Sequence, residues 1–317
     1  ALPISGLYTR QAFYHHARTF THFMTEEKFN VVILDVADFK LINGTYGTKK
    51  GNEVLVYLSN AFRYYVKNGL LTRYEGDQLL GLFHSKVKMD VERINRNINK
   101  IAEEAPIPNI RIKVGIYEDV DTNLSIPIIC DRALMAEKSI SKDFKTNVAF
   151  YTDELNQKQL AQRQMENDFK SAIANREFKV YYQPKYDVNT ENIVGAEALV
   201  RWQKLDGTLI SPGAFIPLFE SDGLVVHLDE YVFESVCQFQ KERMENKLEI
   251  VPISVNLSRA SIHFSDVVER YVDIVNQKQI PFECVPIELT ESATLYSEKI
   301  LEITDQLVNA GFTLHMD

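Results

Sequence analysis

The chain has 317 residues, a formal net charge of −9 and an isoelectric point near 5.4. Its hydrophobic content of 45% and charged content of 25% are those of a globular protein, and the length suits two domains of ordinary size. The acidic balance argues against a groove for a nucleic-acid polymer, and no apolar run reaches the ~18–20 residues of a membrane span. The opening Ala1-Leu2-Pro3-Ile4-Ser5-Gly6 lacks both an initiator Met and the basic start and apolar core of a signal peptide, so it reads as part of a longer protein. Cys130, Cys237 and Cys284 are odd in number and far apart, which points to buried thiols in a reducing cytoplasm rather than a disulfide framework or a zinc site.

Residues 29–36 read as a buried strand, and Asp38-Phe39-Lys40 with Asn43-Gly44 as the turn after it. A helix from near Gly51 carries Val54, Leu55, Leu58, Ala61 and Phe62 on one face. Residues 70–73 and 79–83 form a hairpin around Glu75-Gly76-Asp77. A helix over 90–104, a strand over 110–117 and a helix over 128–138 follow, giving an α+β sheet layered with helices. A helix capped by Thr152 or Asp153 runs to Asn175, with Leu155, Leu160, Met165, Phe169, Ala172 and Ile173 as its apolar face. Beyond it come strands at 180–184, 193–202, 251–257, 285–290 and 312–317. Helices lie near 212–221, 229–245, 265–277 and 297–310, with Gly311 as the last helix's C′ residue. Alternating strands and helices with short links predict a parallel sheet closed as a barrel, whose chemistry sits at the C-terminal strand ends.

Four apolar runs in the second half end in Glu197, Asn256, Glu288 and Asp317. A carboxylate in a buried strand is costly unless a cation pairs with it. Taken singly, Glu197 reads as a structural partner of Arg201, and Asn256 as a satisfier of backbone groups. As an ordered set they suggest a shared Mg²⁺, Mn²⁺ or Ca²⁺ ion and a metal-dependent reaction on a phosphate-like anion. Tyr181, Tyr182, Leu314 and Met316 read as core, and His315 as a barrel-interior packing residue.

The first half carries a resemblance. Leu2-Pro3-Ile4-Ser5-Gly6-Leu7-Tyr8-Thr9-Arg10 is similar to the L-T-G-L-x-N-R opening of GGDEF domains. Asp35 through Phe39-Lys40-Leu41-Ile42-Asn43, with Gly47 and Gly51, resembles D-x-D-x-F-K-x-x-N-D…G-H-x-x-G-D. Arg73-Tyr74-Glu75-Gly76-Asp77-Gln78-Leu79 stands where R-x-G-G-D-E-F is expected, and Cys130-Asp131-Arg132-Ala133-Leu134 with Lys138 resembles A-D-x-A-L-Y-x-A-K. Active family members condense two GTP molecules into cyclic di-GMP. The resemblance implies metal-binding roles for Asp35 and Asp77, phosphate contacts for Lys40 and Lys138, and a guanine contact for Asn43. The departures fall on the chemistry: Glu75 for Gly, Gln78 for Glu, Asn52 for Asp and Thr48 for His, with Val66-Lys67-Asn68-Gly69 in place of the product-inhibition motif R-x-x-D. A degenerate, non-catalytic domain is expected, with GTP binding without turnover as the functional alternative.

The second half resembles the EAL phosphodiesterase family. Tyr182-Gln183-Pro184, Glu197-Ala198-Leu199-Val200-Arg201-Trp202, Phe215-Ile216-Pro217, Glu220-Ser221-Asp222-Gly223-Leu224, Ser254-Val255-Asn256-Leu257-Ser258, Glu288-Leu289-Thr290-Glu291-Ser292 and Leu314-His315-Met316-Asp317 match its motifs in order. The resemblance implies a TIM-barrel-type α/β domain, truncated at about five strands, with a second Asp and a catalytic Lys expected past residue 317. It implies two Mg²⁺ or Mn²⁺ ions held by Glu197, Asn256, Glu288 and Asp317, with Glu291 steadying the loop beyond Asp317. Arg201 would meet a substrate phosphate, with Gln183 beside it. The expected reaction is hydrolysis of cyclic di-GMP to linear pGpG, and the alternative is a non-catalytic cyclic di-GMP or GTP receptor. The expected division is a GGDEF domain over 1–151, a connecting helix over 152–177 and the start of an EAL domain over 178–317. A cytoplasmic homodimer is expected, with room for an upstream sensor or membrane region.

Overall fold

The computed structural model describes residues 6–23, 28–66, 69–84, 88–140, 146–264, 266–289 and 298–316. Contacts divide the chain into two compact units, Ala1–Gln159 and Leu160–Asp317. No helix among the described residues is long and apolar enough to cross a membrane.

The first unit contains α1 (Arg10–Phe23), β1 (Phe29–Val36), α2 (Phe39–Tyr46), α3 (Thr48–Tyr65), β2 (Leu70–Glu75), β3 (Gln78–His84), α4 (Val91–Glu103), β4 (Ile112–Tyr117), α5 (Ile126–Lys138) and β5 (Val148–Phe150). The sheet order is β2-β3-β1-β4-β5. β1 is its central strand and is buried along its length except at Asp35, which is half-buried. Alternation along β1 feeds two cores: Val32, Leu34 and Val36 pack with α3 and α4, while Val31 and Ile33 pack with α1 and α5. Gly115 on β4 lets α5 come close. A Cβ there would lie 2.2 Å from the Ala133 carbonyl oxygen and 2.4 Å from the Glu137 amide nitrogen.

The segment expected as a turn at 38–44 is instead the helix α2. Asn-Gly signals a turn only where the flanking residues are free to leave the core. Here Phe39 and Ile42 pack against it, and Asn43 lies against Gly51 of α3. The break falls later, at Gly47, whose φ of 82° separates α2 from α3.

The second unit holds most of α6 (Asp153–Ala174), then β6 (Phe178–Tyr186), β7 (Ile193–Gln203), β8 (Leu209–Ile210), α7 (Pro212–Asp222) and α8 (Val225–Glu245). After these come β9 (Ile253–Leu257), α9 (Arg259–Ile262), α10 (Val267–Lys278), β10 (Ile287–Leu289), α11 (Glu298–Ala310) and β11 (Leu314–Met316). Thr152 is the cap of α6, its Oγ1 accepting from the Leu155 amide at 3.1 Å. Leu160 is not on the apolar face but 56% exposed, because it falls about 140° around the helix from Leu155. Gly311 follows α11 with a φ of 106°, as a C′ residue should.

The sheet order is β11-β10-β9-β7-β6, with β8 paired to the far end of β7. β7, β9, β10 and β11 pair in parallel, but β6 and β7 are antiparallel, against the expectation of a parallel sheet throughout. Residues 187–192 are too few for a crossover and can only make a hairpin link. Asp187 organises that link, accepting from the amides of Asn189 at 3.0 Å and Thr190 at 2.8 Å.

One face of this sheet is apolar. Ala196, Ala198, Trp202, Ile253, Val255, Ile287 and Leu289 pack there with residues of α7, α8, α10 and α11. Tyr182 belongs to that side and stacks on Phe239 at 4.6 Å. Tyr181, expected in the core, points the other way and is 52% exposed, because neighbours in a strand alternate faces. Met316, also expected as core, is exposed on β11, which has β10 as its only strand partner among the described residues.

Candidate active site

The second face of the sheet is polar. Register aligns Gln183 with Glu197, Glu197 with Ser254, and Asn256 with Glu288, which is in turn level with His315. These side chains therefore share one side of adjacent strands. The Asn256 Nδ2 donates to Glu197 Oε1 at 2.9 Å. Lys185 Nζ donates to Glu288 Oε2 at 3.0 Å and to Ser254 Oγ at 3.0 Å. Burial opposes the charge on Glu288, but hydrogen bonds from Ser254 and Lys185, the Lys185 charge and nearby His315 outweigh it. The carboxyl is held below its ordinary range.

Glu197 does not stand at a strand end, as expected, but near the middle of β7. That strand runs on to Gln203 because β8 folds back and pairs with Trp202 and Gln203. Arg201, two pleat repeats further along β7, lines a 220 Å³ cavity with Glu220, Asp229, Asn256 and Ser258. Its Nη1 donates to the Val200 carbonyl at 2.9 Å. Asp229 accepts from the Ser258 amide at 3.0 Å and from Ser261 Oγ at 2.7 Å, which ties α8 to the turn just past Asn256. Burial pushes the Asp229 carboxyl up to about 6; the Ser258 and Ser261 hydrogen bonds act against this and the Glu220 charge adds to it. Glu291 and Asp317 lie outside the described residues.

In the first unit Asp77, in the turn of the β2–β3 hairpin, comes near Asp35 on β1, whose charge favours the protonated form of Asp77. Burial lifts the Asp35 carboxyl, while a hydrogen bond from Gln78 and the charges of Lys113 and Lys138 pull it back. Burial, then the Asp35 charge, lifts Asp77, while backbone donors at Asp77 and Val36 and the charge of Arg73 oppose the rise. Lys40 and Asn43 sit on α2, and no contact joins them to these carboxylates among the described residues.

Four participants escaped the sequence reading: Lys185, Ser254, Lys113 and Glu137. Period-two spacing carries the signal for the first pair, since Lys185 is two residues past Gln183 and Ser254 two before Asn256. Glu137 precedes Lys138, where the family motif has Ala. Lys113 had no signal, because only the pairing of β4 with β1 sets it opposite Asp35.

Comparison with known proteins decides the family. The family model described as diguanylate cyclase, GGDEF domain, matches residues 3–140, and the EAL domain model matches residues 166–317. The chain is a GGDEF–EAL protein. It is 25% identical over 303 residues to the bifunctional diguanylate cyclase/cyclic di-GMP phosphodiesterase MucR of Pseudomonas aeruginosa, covering 92% of this chain and 44% of MucR. It is 25% identical over 321 residues to the cyclic di-GMP phosphodiesterase PdeR of Escherichia coli, covering 99% of this chain and 48% of PdeR. The chain thus spans less than half the length of these curated relatives. Its fold is similar to that of the S helix–GGDEF–EAL region of Vibrio cholerae LapD bound to c-di-GMP, with a TM-score of 0.56 at 17% identity, covering 99% of this chain and 75% of that one.

EAL domains are metal-dependent, and the EAL residues of this chain fit a hard divalent cation. Glu197, Asn256 and Glu288 offer carboxylate and amide oxygens on neighbouring strands of one face. Among the described residues no three His, Cys, Asp or Glu groups are close enough to form a metal cluster unaided. Lys185 instead neutralises Glu288, through an ammonium that is 40% exposed and can swing away. The GGDEF residues do not fit such an ion, because Asp35 already receives the Gln78 amide and faces the Lys113 ammonium.

Proposed function

We propose that the EAL domain hydrolyses one phosphodiester of cyclic di-GMP to give linear pGpG, with Mg²⁺ or Mn²⁺ held by Glu197, Asn256, Glu288 and Asp317. The observation that carries this reading is the convergence of Glu197, Asn256 and Glu288 on one polar sheet face, joined by the 2.9 Å contact between Asn256 and Glu197. The names of MucR and PdeR, and the c-di-GMP bound to LapD, support the substrate class. When bound, divalent ions supply Lewis-acid polarisation of the phosphoryl group and a lower pKa for water.

The chain's own residues bind and orient. Arg201 offers a guanidinium from the cavity wall to a phosphate oxygen. Gln183, exposed and level with Glu197, lies where a nucleotide edge would pass. Lys185 holds Glu288 ionised before the cation arrives. Glu291 steadies the loop beyond Asp317, and closure of the sheet into a barrel completes the walls. The GGDEF domain is a non-catalytic regulator, since Glu75, Gln78 and Asn52 replace the residues that its synthetic chemistry uses. The nucleotide substrate puts the reaction in the cytoplasm.

Product analysis tests the reading. The full-length protein is incubated with cyclic di-GMP and Mg²⁺ or Mn²⁺, and linear pGpG is the expected product. Saturable binding with no pGpG would make the EAL domain a receptor, and sustained synthesis from GTP would overturn the regulatory role of the GGDEF domain.

A further inference from the structure

The carboxylates of the GGDEF domain are partnered from within. Asp35 on β1 and Lys113 on β4 are direct partners across the antiparallel pair. Lys113 Nζ also lies 3.7 Å from Glu137 Oε1, with the two side chains only 18% and 4% exposed. Glu137 reaches this spot because Gly115, two residues along β4 from Lys113, lets α5 settle against the strand. Burial drives the Glu137 carboxyl up to about 7; the Asp35 and Asp77 charges add to the rise, while those of Lys113 and Lys138 oppose it. Gln78, standing where the family has Glu, contributes an amide to Asp35 rather than another carboxylate.

We infer that Lys113 is the resident cation of this cluster, joined to Asp35 across the strands and to Glu137 on α5, and that it excludes a divalent ion from the GGDEF site. The physical argument is one of charge and room. A buried carboxylate needs a cation, and an ammonium on the adjacent strand supplies one without a metal. A second, doubly charged ion would have to sit beside that ammonium, where the low dielectric makes like-charge repulsion large. Mg²⁺ also demands near-octahedral oxygen donors, and an ammonium or an amide N–H bonded to Asp35 is not one. Lys185 in the EAL domain is the contrast: it too pairs with a buried carboxylate, but it is more than twice as exposed as Lys113 and can be displaced. The inference deepens the regulatory reading of the GGDEF domain and does not depend on hydrolysis by the EAL domain.

The test is a Mn²⁺ titration of the full chain, with free ion followed by electron paramagnetic resonance. Asp35→Asn is expected to leave the number of bound equivalents unchanged. Lys113→Met is expected to gain one equivalent, which Lys113→Met combined with Asp35→Asn loses again. Lys113→Arg, which keeps the charge, gains none. A wild-type equivalent that disappears in Asp35→Asn overturns the inference, as does a folded Lys113→Met chain with no added ion. If circular dichroism finds Lys113→Met unfolded, the Asp35→Asn comparison decides. Ions held by the EAL domain report separately, through Glu197→Gln.

Discussion

Lys185 and Glu288 touch at 3.0 Å although β7 and β9 lie between their strands. On a flat sheet three strand spacings would separate them by about 14 Å. The two side chains therefore reach toward each other across the polar face, over β7 and β9. That reach is what turns a row of separate strand residues into a site.

Replacing Lys185 by Met should weaken the folded state by about 1 kcal/mol or less, because the ammonium is partly solvated. The sign of the pH dependence follows from Glu288, whose carboxyl is held below its unfolded value. Its contribution is complete above the ordinary carboxylate range and is lost as pH falls through the folded value. Thermal unfolding should show the wild type ahead at neutral pH and the two proteins converging in acid. A gap that widens in acid would contradict the pairing.

Glu197→Gln in the complete protein should cut cyclic di-GMP hydrolysis at least ~100-fold, the scale expected for disturbing a metal site. The amide preserves shape and should leave the melting temperature nearly unchanged. Arg201→Ala should act on substrate affinity while Mn²⁺ binding survives, since a guanidinium on the cavity wall meets a phosphate and offers a metal ion no oxygen. Steady-state kinetics beside metal titration separates the two outcomes.

Much of this organisation is legible in the sequence, because periodicity reports which residues share a face. β1, the β2–β3 hairpin and α10 follow their apolar patterns, and Glu197, Asn256 and Glu288 could be named before any contact was known. What periodicity does not carry is strand direction and cross-strand identity. The antiparallel β6–β7 pair depended on counting the link at 187–192, and Lys113 depended on which strand lies beside β1. Tyr181 was misassigned because an aromatic side chain on a strand fits either face, and Met316 because its exposure depends on β11 being covered on only one side among the described residues.

Asp229→Asn should flatten a pH dependence of stability. The Asp229 carboxyl titrates near about 6 when folded and about 4 when unfolded, so the folded state holds its proton more tightly. Stability is then highest below the unfolded value and falls as pH rises through the folded one, by on the order of 3 kcal/mol. Asn still offers an oxygen to Ser258 and Ser261 but carries no charge to bury. Denaturant unfolding on either side of this interval measures the slope, and an unchanged slope in the variant would remove Asp229 as its source.

Gly115→Ala should destabilise the GGDEF domain by at least about 2 kcal/mol, since the added Cβ meets backbone atoms of α5 that cannot rotate away. The same change should push Glu137 off Lys113. A calorimetric scan of the full chain should lower one transition and leave the other in place.

The hairpin of β6 and β7 also bears on the order in which the EAL domain assembles. Its two strands are joined by the short link at 187–192, so their pairing closes a small loop. The parallel strands β9 and β10 wait for whole helices to be laid down between them. Local closures of this kind are fast and non-local ones slow. Gln183 and Glu197 are thus brought level by the early event, whereas Asn256 and Glu288 arrive late. The chain meets its own chemistry in halves, the half near the hairpin first.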